Sequence, residues 1–104
     1  MHVASNTLQN CHAVVTGGGQ GIGAAIARVL VAHGANVTVL GRKLEAVQAL
    51  AAEQPQQMHA VSVDVADAEQ VQAAFASARQ RFGPIAILIN NAGQASSAPF
   101  LKTD

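Results

Sequence analysis

Tyrosine and tryptophan are both absent from the 104 residues, and the only aromatic side chains are three phenylalanines. No phenol is therefore at hand to donate a proton in catalysis. A single cysteine, Cys11, excludes an intramolecular disulfide and a cysteine-built zinc site; standing at the head of an apolar run, it is expected to be a small buried hydrophobe. Charge is scarce: 12% of the residues, six acidic and six basic. No basic patch invites nucleic acid, and no block of like charge suggests a tail. His2, His12, His33 and His59 lack metal-ligand spacing and read as packed or solvated histidines. No apolar run is long enough to span a bilayer, the best being broken by Arg28 and His33, and "MHVASNTLQN" has neither the basic nor the apolar region of a secretory signal. The expectation is a cytoplasmic chain with neither nucleic acid nor membrane as partner.

Apolar residues, by contrast, make up half of the chain, enough for a globular core in a single domain. They fall into alternating segments. Short β-rich runs occur at 12–16 ("HAVVT"), 36–40 ("NVTVL"), 59–63 ("HAVSV") and 85–89 ("IAILI"). Between them lie helical patterns. Ile22, Ala25, Ile26, Val29 and Leu30 recur at helical spacing, and Gly34 follows as a stop. Leu44, Val47, Leu50 and Ala51 mark a second helix before Pro55. Asp67 and Gln70 have the spacing of a capping box, opening a third helix that buries Val71, Ala74, Phe75 and Ala78 and stops at Gly83-Pro84. The order β-α-β-α-β-α-β with short connections predicts a parallel sheet with helices on both faces and strand order 3-2-1-4. The run at 85–89 is so apolar that cover on both faces is expected.

The densest signal is "TGGGQGIG", residues 16–23, lying between the first strand and the first helix. A strand-to-helix turn leaves the first helical N–H groups unpaired and aimed outward, where the helix dipole favours an anion. Glycines allow a pyrophosphate to approach the backbone. The same composition also suits a tight turn without a ligand. It is not a P-loop, because Ala24-Ala25 stand where Lys and Ser or Thr would be required.

Thr16-Gly17-x-x-x-Gly21-Ile22-Gly23, Asp64-Val65 after the third strand and Asn90-Asn91-Ala92-Gly93 after the fourth together resemble the short-chain dehydrogenase/reductase family. The finer resemblance is to 3-oxoacyl reductases and 3-hydroxyacyl dehydrogenases. The likeness covers nearly the whole chain. It implies an α/β Rossmann-type doubly wound sheet that binds a nicotinamide dinucleotide, and hydride transfer between an alcohol and a carbonyl. Gly17, Gly18, Gly19, Gln20, Gly21 and Ile22 would surround the pyrophosphate, whereas Gly23 gives close helix–strand packing and Thr16 bonds the turn. Asp64, read as a free carboxylate because Asp67 already caps the helix, would accept the adenine amino group, with Val65 against the ring. Asn90 would brace the strands, and Asn91, Ala92 and Gly93 would lie beside the ribose.

The end of the second strand bears on the cofactor. A carboxylate there holds the adenosine ribose hydroxyls of NAD. This sequence has Gly41-Arg42-Lys43 instead, so nothing repels a 2′-phosphate and the planar fork of Arg42 can pair with it. NADP(H) is expected in preference to NAD(H), although Gln20 replaces the basic residue that often assists in the family. The missing acid also argues against a Rossmann-like methyltransferase.

The family's proton donor is a Tyr four residues before a Lys, with a Ser and a further Asn, all downstream of Asn-Asn-Ala-Gly. Lys102 cannot complete that pair, and no catalytic residue is assigned within 1–104. The chain is expected to be the N-terminal, cofactor-binding part of a longer homo-oligomeric enzyme, partial as a Rossmann domain and inactive alone. The alternative is a complete 104-residue nucleotide-binding or interaction protein without catalysis.

Overall fold

The computed structural model describes residues 7–91. It contains a four-stranded parallel sheet with three helices, in the order β1 (His12–Thr16), α1 (Gly21–Ala32), β2 (Asn36–Gly41), α2 (Leu44–Ala51), β3 (Met58–Ser62), α3 (Ala68–Phe82) and β4 (Ile87–Asn90). The strands lie in the order β3-β2-β1-β4, the expected order of a doubly wound sheet. Thr16 pairs with Leu40 and Asn90, and Gly41 with Ser62. The carboxyl ends of all four strands thus finish along one edge, where open α/β sheets bind ligands.

Side-chain alternation divides the core between the two faces. Ala13, Val15, Val37 and Val39 pack with Ala24, Ala27 and Val31 of α1 and with Val47 and Leu50 of α2. Val14 and Leu40 point the other way, to Ala74 and Ala78 of α3. β1 is consequently buried along its whole length, as a strand covered on both faces should be.

Helix boundaries follow the expected chemistry. α1 stops at His33, and Gly34 adopts φ 98°. Its N–H donates to Val31 O at 2.9 Å and that of Ala35 to Leu30 O at 3.0 Å, the two bonds of a Schellman ending. Asp67 caps α3 by accepting the N–H groups of Glu69 and Gln70. The second half of the capping box differs. Gln70 does not bond the Asp67 N–H, which donates to Asp64 O; its Oε1 instead accepts the N–H of Asp64 at 2.9 Å.

Packing departs from the bare sequence pattern at three places. On α1 the buried residues are Gly23, Ala24, Ala27 and Val31, whereas Ile22 and Val29 are 71% and 56% exposed. The helix is apolar nearly all round, so periodicity does not single out one face; close approach to the sheet does, and it selects the smaller residues. β4 begins at Ile87 rather than 85 and is not covered on both faces among the described residues. Ile87 and Ile89 pack on the α1–α2 side, but Leu88 on the opposite face is half exposed. Cys11 lies just before β1 and is half-buried.

Two histidines face α3. His12 is buried, with Nδ1 2.9 Å from Gly83 O and Nε2 2.9 Å from the buried Thr38 hydroxyl, and its ring meets Phe82 edge-on. The Gly83 carbonyl can only accept, so Nδ1 carries the proton and, in the neutral ring, Nε2 accepts from Thr38. His59 on β3 is partly buried against Ser77 Oγ at 3.0 Å. Burial, followed by the positive charge of Arg81 and by His12, lowers its pKa below the ordinary 6.5. The folded state then binds fewer protons than the unfolded one. The resulting stability is complete above the unfolded pKa and is lost as pH falls through the lowered folded value. The thermal midpoint is expected to drop between about pH 7.5 and about pH 5, and His59→Gln to flatten part of that drop. An identical pH profile for the two proteins would contradict this.

Candidate functional site

The glycine turn is tied down from two directions. The N–H groups of Gly17 and Gly18 donate to Leu40 O, at 2.7 and 3.2 Å, joining the turn to the end of β2. Across the β1–β4 pair, Thr16 Oγ1 donates to Asn90 Oδ1 at 2.7 Å and accepts the Asn91 N–H at 2.9 Å. Asn90 is thus the expected brace, and Thr16 is its partner. Asn91 Nδ2 reaches Gly17 O at 3.5 Å. Ala92 and Gly93, expected beside a ribose, lie outside the described residues.

The glycines do not share one purpose. Side chains at Gly18, Gly19 and Gly23 would meet the protein itself. A Cβ on Gly18 would approach Val39 Cβ to 3.0 Å, and one on Gly19 would approach Ala46 Cβ to 2.9 Å. At Gly23 it would fall on the Gly17 carbonyl oxygen and lie 2.9 Å from Asn91 Nδ2. Gly21 differs: its φ is +58°, and the space beside it is open. That residue begins α1, whose N-cap Gln20 makes no side-chain capping bond and whose first turn holds no acid. The exposed start of α1 therefore offers unpaired N–H groups and a clear approach to an anion.

Beside the turn is an open cleft of about 460 Å³. Gly17, Gly19 and Gln20 form one wall, Gly41, Arg42, Lys43, Ala46 and Val47 the second, and Val63, Asp64, Val65 and Ala66 the third. The structure thus gathers Gly17, Gly19, Gln20, Arg42, Asp64 and Val65 from the expected set. Gly18 is turned inward beneath the cleft, while Gly21, Ile22 and Asn91 lie outside its lining. Arg42 and Lys43 are exposed on its rim. The Arg42 carbonyl accepts from Ser62 Oγ at 3.3 Å, and its guanidinium has no partner among the described residues. Val65 presents a 41% exposed apolar surface.

Asp64 is not the free carboxylate expected from sequence. Oδ1 accepts the N–H of Ala66 at 3.0 Å in an Asx turn, and Gln70 holds its backbone N–H. Oδ2 remains for a ligand, so the turn orients the carboxylate without using it up. Sequence reasoning missed Gln70 in this role because the bond spans the loop. It also missed Ala46, which no pattern singled out, and Val47, whose signal was ordinary helix periodicity. An open helix start, a basic rim and an apolar wall with one carboxylate suit a dinucleotide: phosphates at the turn, adenosine in the cleft.

Comparison with known proteins identifies the family and agrees with the fold. The profile of the short chain dehydrogenase family matches residues 11–104. A farnesol dehydrogenase of Aedes aegypti is 41% identical in an alignment of 96 residues that covers 88% of this chain and 39% of that protein. The NADP-bound C-domain of a bacterial malonyl-CoA reductase superposes with a TM-score of 0.81 at 27% identity, over 86% of this chain and 16% of that one. A 3-ketoacyl-(acyl-carrier-protein) reductase from Brucella melitensis, complexed with NADH, gives a TM-score of 0.76 at 31% identity, over 78% and 34%. The chain spans well under half the length of each. Since the profile accounts for all but the first ten residues, this chain belongs to the short-chain dehydrogenase family.

Proposed function

We propose that residues 1–104 form the cofactor-binding N-terminal part of an NAD(P)-dependent oxidoreductase, with NADP(H) preferred over NAD(H). The alcohol or carbonyl substrate would be handled mainly by parts of the protein outside this segment. Family membership supports the class of reaction, and the short span relative to the matched proteins supports the division of labour. The observation that carries the cofactor preference is the unpartnered Arg42 guanidinium on a cleft rim that lacks a carboxylate at the end of β2.

A bound reduced nicotinamide supplies the hydride in such reactions, and the carbonyl oxygen takes a proton from an acid. The residues of this segment bind and orient. The N–H groups at the start of α1 receive the pyrophosphate around Gly17, Gly19, Gln20 and Gly21, with Ile22 projecting beside them. The Asx turn presents Asp64 Oδ2 to the adenine amino group and Val65 to the ring face. Arg42 pairs with the 2′-phosphate through its planar fork, and Lys43 adds positive charge. Asn91, held by Thr16 and Gly17, would border the ribose.

Replacing Arg42 tests this reading. A charge-assisted contact contributes about 1.5–3 kcal/mol, or roughly ten- to a hundredfold in affinity. In the full-length protein, Arg42→Asp is expected to weaken NADP(H) by that factor and to move the preference toward NAD(H), measured by titrating each nucleotide. A wild type that already prefers NAD(H), with a ratio unmoved by the substitution, would show that Gly41-Arg42-Lys43 does not select the cofactor.

A further inference from the structure

Gly41 closes β2, at the point where a carboxylate would select NAD. Backbone geometry does not demand glycine there, because its φ is not positive. Space does. A Cβ at Gly41 would lie 2.8 Å from Val47 Cγ1, closer than real Cβ atoms approach their neighbours; the next atom, Gly19 N, is 3.9 Å away.

Val47 has little freedom to yield. It is fully buried on α2, and a β-branched side chain on a helix has one strongly preferred rotamer. The same methyl lies 3.3 Å from the Cβ position of Gly19, while Ala46 Cβ presses on that position at 2.9 Å. The first turns of α2 therefore rest on the glycine turn and on the end of β2 together. Turning the Val47 side chain at one contact disturbs the other.

We propose that Val47 is a positioning residue for cofactor choice. By filling the side-chain space at position 41 it keeps a carboxylate off the end of β2, which leaves the ribose 2′ position to Arg42. This inference rests on the NADP(H) reading above and adds a second, steric determinant to the charge of Arg42. It implies that the preference cannot be reversed by placing an acid at 41 unless α2 is trimmed as well.

The test compares Gly41→Asp with the Gly41→Asp/Val47→Ala double variant in the full-length protein, titrating NADP(H) and NAD(H) and recording thermal midpoints. Gly41→Asp alone is expected to melt lower and to weaken both nucleotides. The double variant is expected to bind NAD(H) at least about tenfold more tightly than Gly41→Asp and to invert the preference, a tenfold change being about 1.4 kcal/mol. If Gly41→Asp alone inverts the preference as fully as the double variant, the proposal is overturned.

Should Gly41→Asp not fold, a cycle of Gly41→Ala and Val47→Ala reads the contact without the charge. Gly41→Ala is expected to lower the midpoint in the wild-type background and to lower it much less beside Val47→Ala. Equal drops in both backgrounds would overturn the steric claim. A wild type preferring NAD(H) would instead defeat the cofactor reading, while the alanine cycle would still decide whether Val47 excludes a side chain at 41.

Discussion

Gly23→Ala is expected to be the most damaging single methyl group that can be added to the turn. The new Cβ would fall on the carbonyl oxygen of Gly17 and crowd Asn91 Nδ2 at 2.9 Å. Neither neighbour can move alone. Gly17 is held by its N–H to Leu40 O, and Asn91 by its N–H to Thr16. Relief requires α1 to back away from β1, which would loosen Ala24, Ala27 and Val31 from the core. Overpacking at a site that cannot relax costs about 3 kcal/mol or more, a fall of roughly 6–12 °C in the thermal midpoint of a protein of 150–250 residues. Gly21→Ala is the contrasting variant. Its φ of +58° costs an L-residue about 1–2 kcal/mol, but the space is open. It is expected to fold and to lose affinity for the dinucleotide, because the methyl group would occupy the anion's approach to α1. Calorimetric melts and nucleotide titrations on both variants separate the two cases. A Gly23→Ala protein melting with the wild type would mean that the helix does not approach the strand as closely as described.

A purified polypeptide of residues 1–104 is expected to self-associate and to catalyse no carbonyl reduction with NADPH or NADH. The first outcome follows from β4. It pairs only with β1 among the described residues, so its other backbone edge lacks a strand, and Leu88 is 46% exposed beside that edge. An unpaired apolar edge is a template for a second chain, and a small core leaves little stability to oppose it. Arg81 does not guard it, because its guanidinium bonds the Pro55 carbonyl in the segment leading into β3, at the other edge of the sheet. The second outcome follows from composition: without tyrosine, no phenol is available to protonate the developing alkoxide. Light scattering coupled to size exclusion, with NADPH consumption followed on a carbonyl panel, reads both. A monodisperse monomer with a high, cooperative melting transition, or substrate-dependent oxidation of NADPH free of contaminating enzyme, would refute the corresponding half.

The order of elements and the sheet order β3-β2-β1-β4 were legible in sequence because each rests on local rules. Gly34 ends α1 and Asp67 starts α3 through bonds to residues at most five positions away. Parallel strands joined by short right-handed crossovers leave few alternatives for the sheet. Arg42 was found by counting to the end of β2. Tertiary structure alone decided matters that depend on distances between elements. An all-apolar helix does not declare which side it buries, and α1 buries Ala24, Ala27 and Val31 because small residues let it reach β1. Of the five glycines in the turn, the sequence set Gly17, Gly18, Gly19 and Gly21 around a ligand and Gly23 against the strand. Packing assigned Gly18, Gly19 and Gly23 to Val39, Ala46 and the Gly17 carbonyl, and left Gly21 facing open space. Asp64, unremarkable beyond its motif, is oriented by Ala66 and Gln70, and His12 joins residues 26 and 71 positions away. No pattern within a single segment encodes the glycine and His12 contacts, since each forms only after two elements have packed against each other.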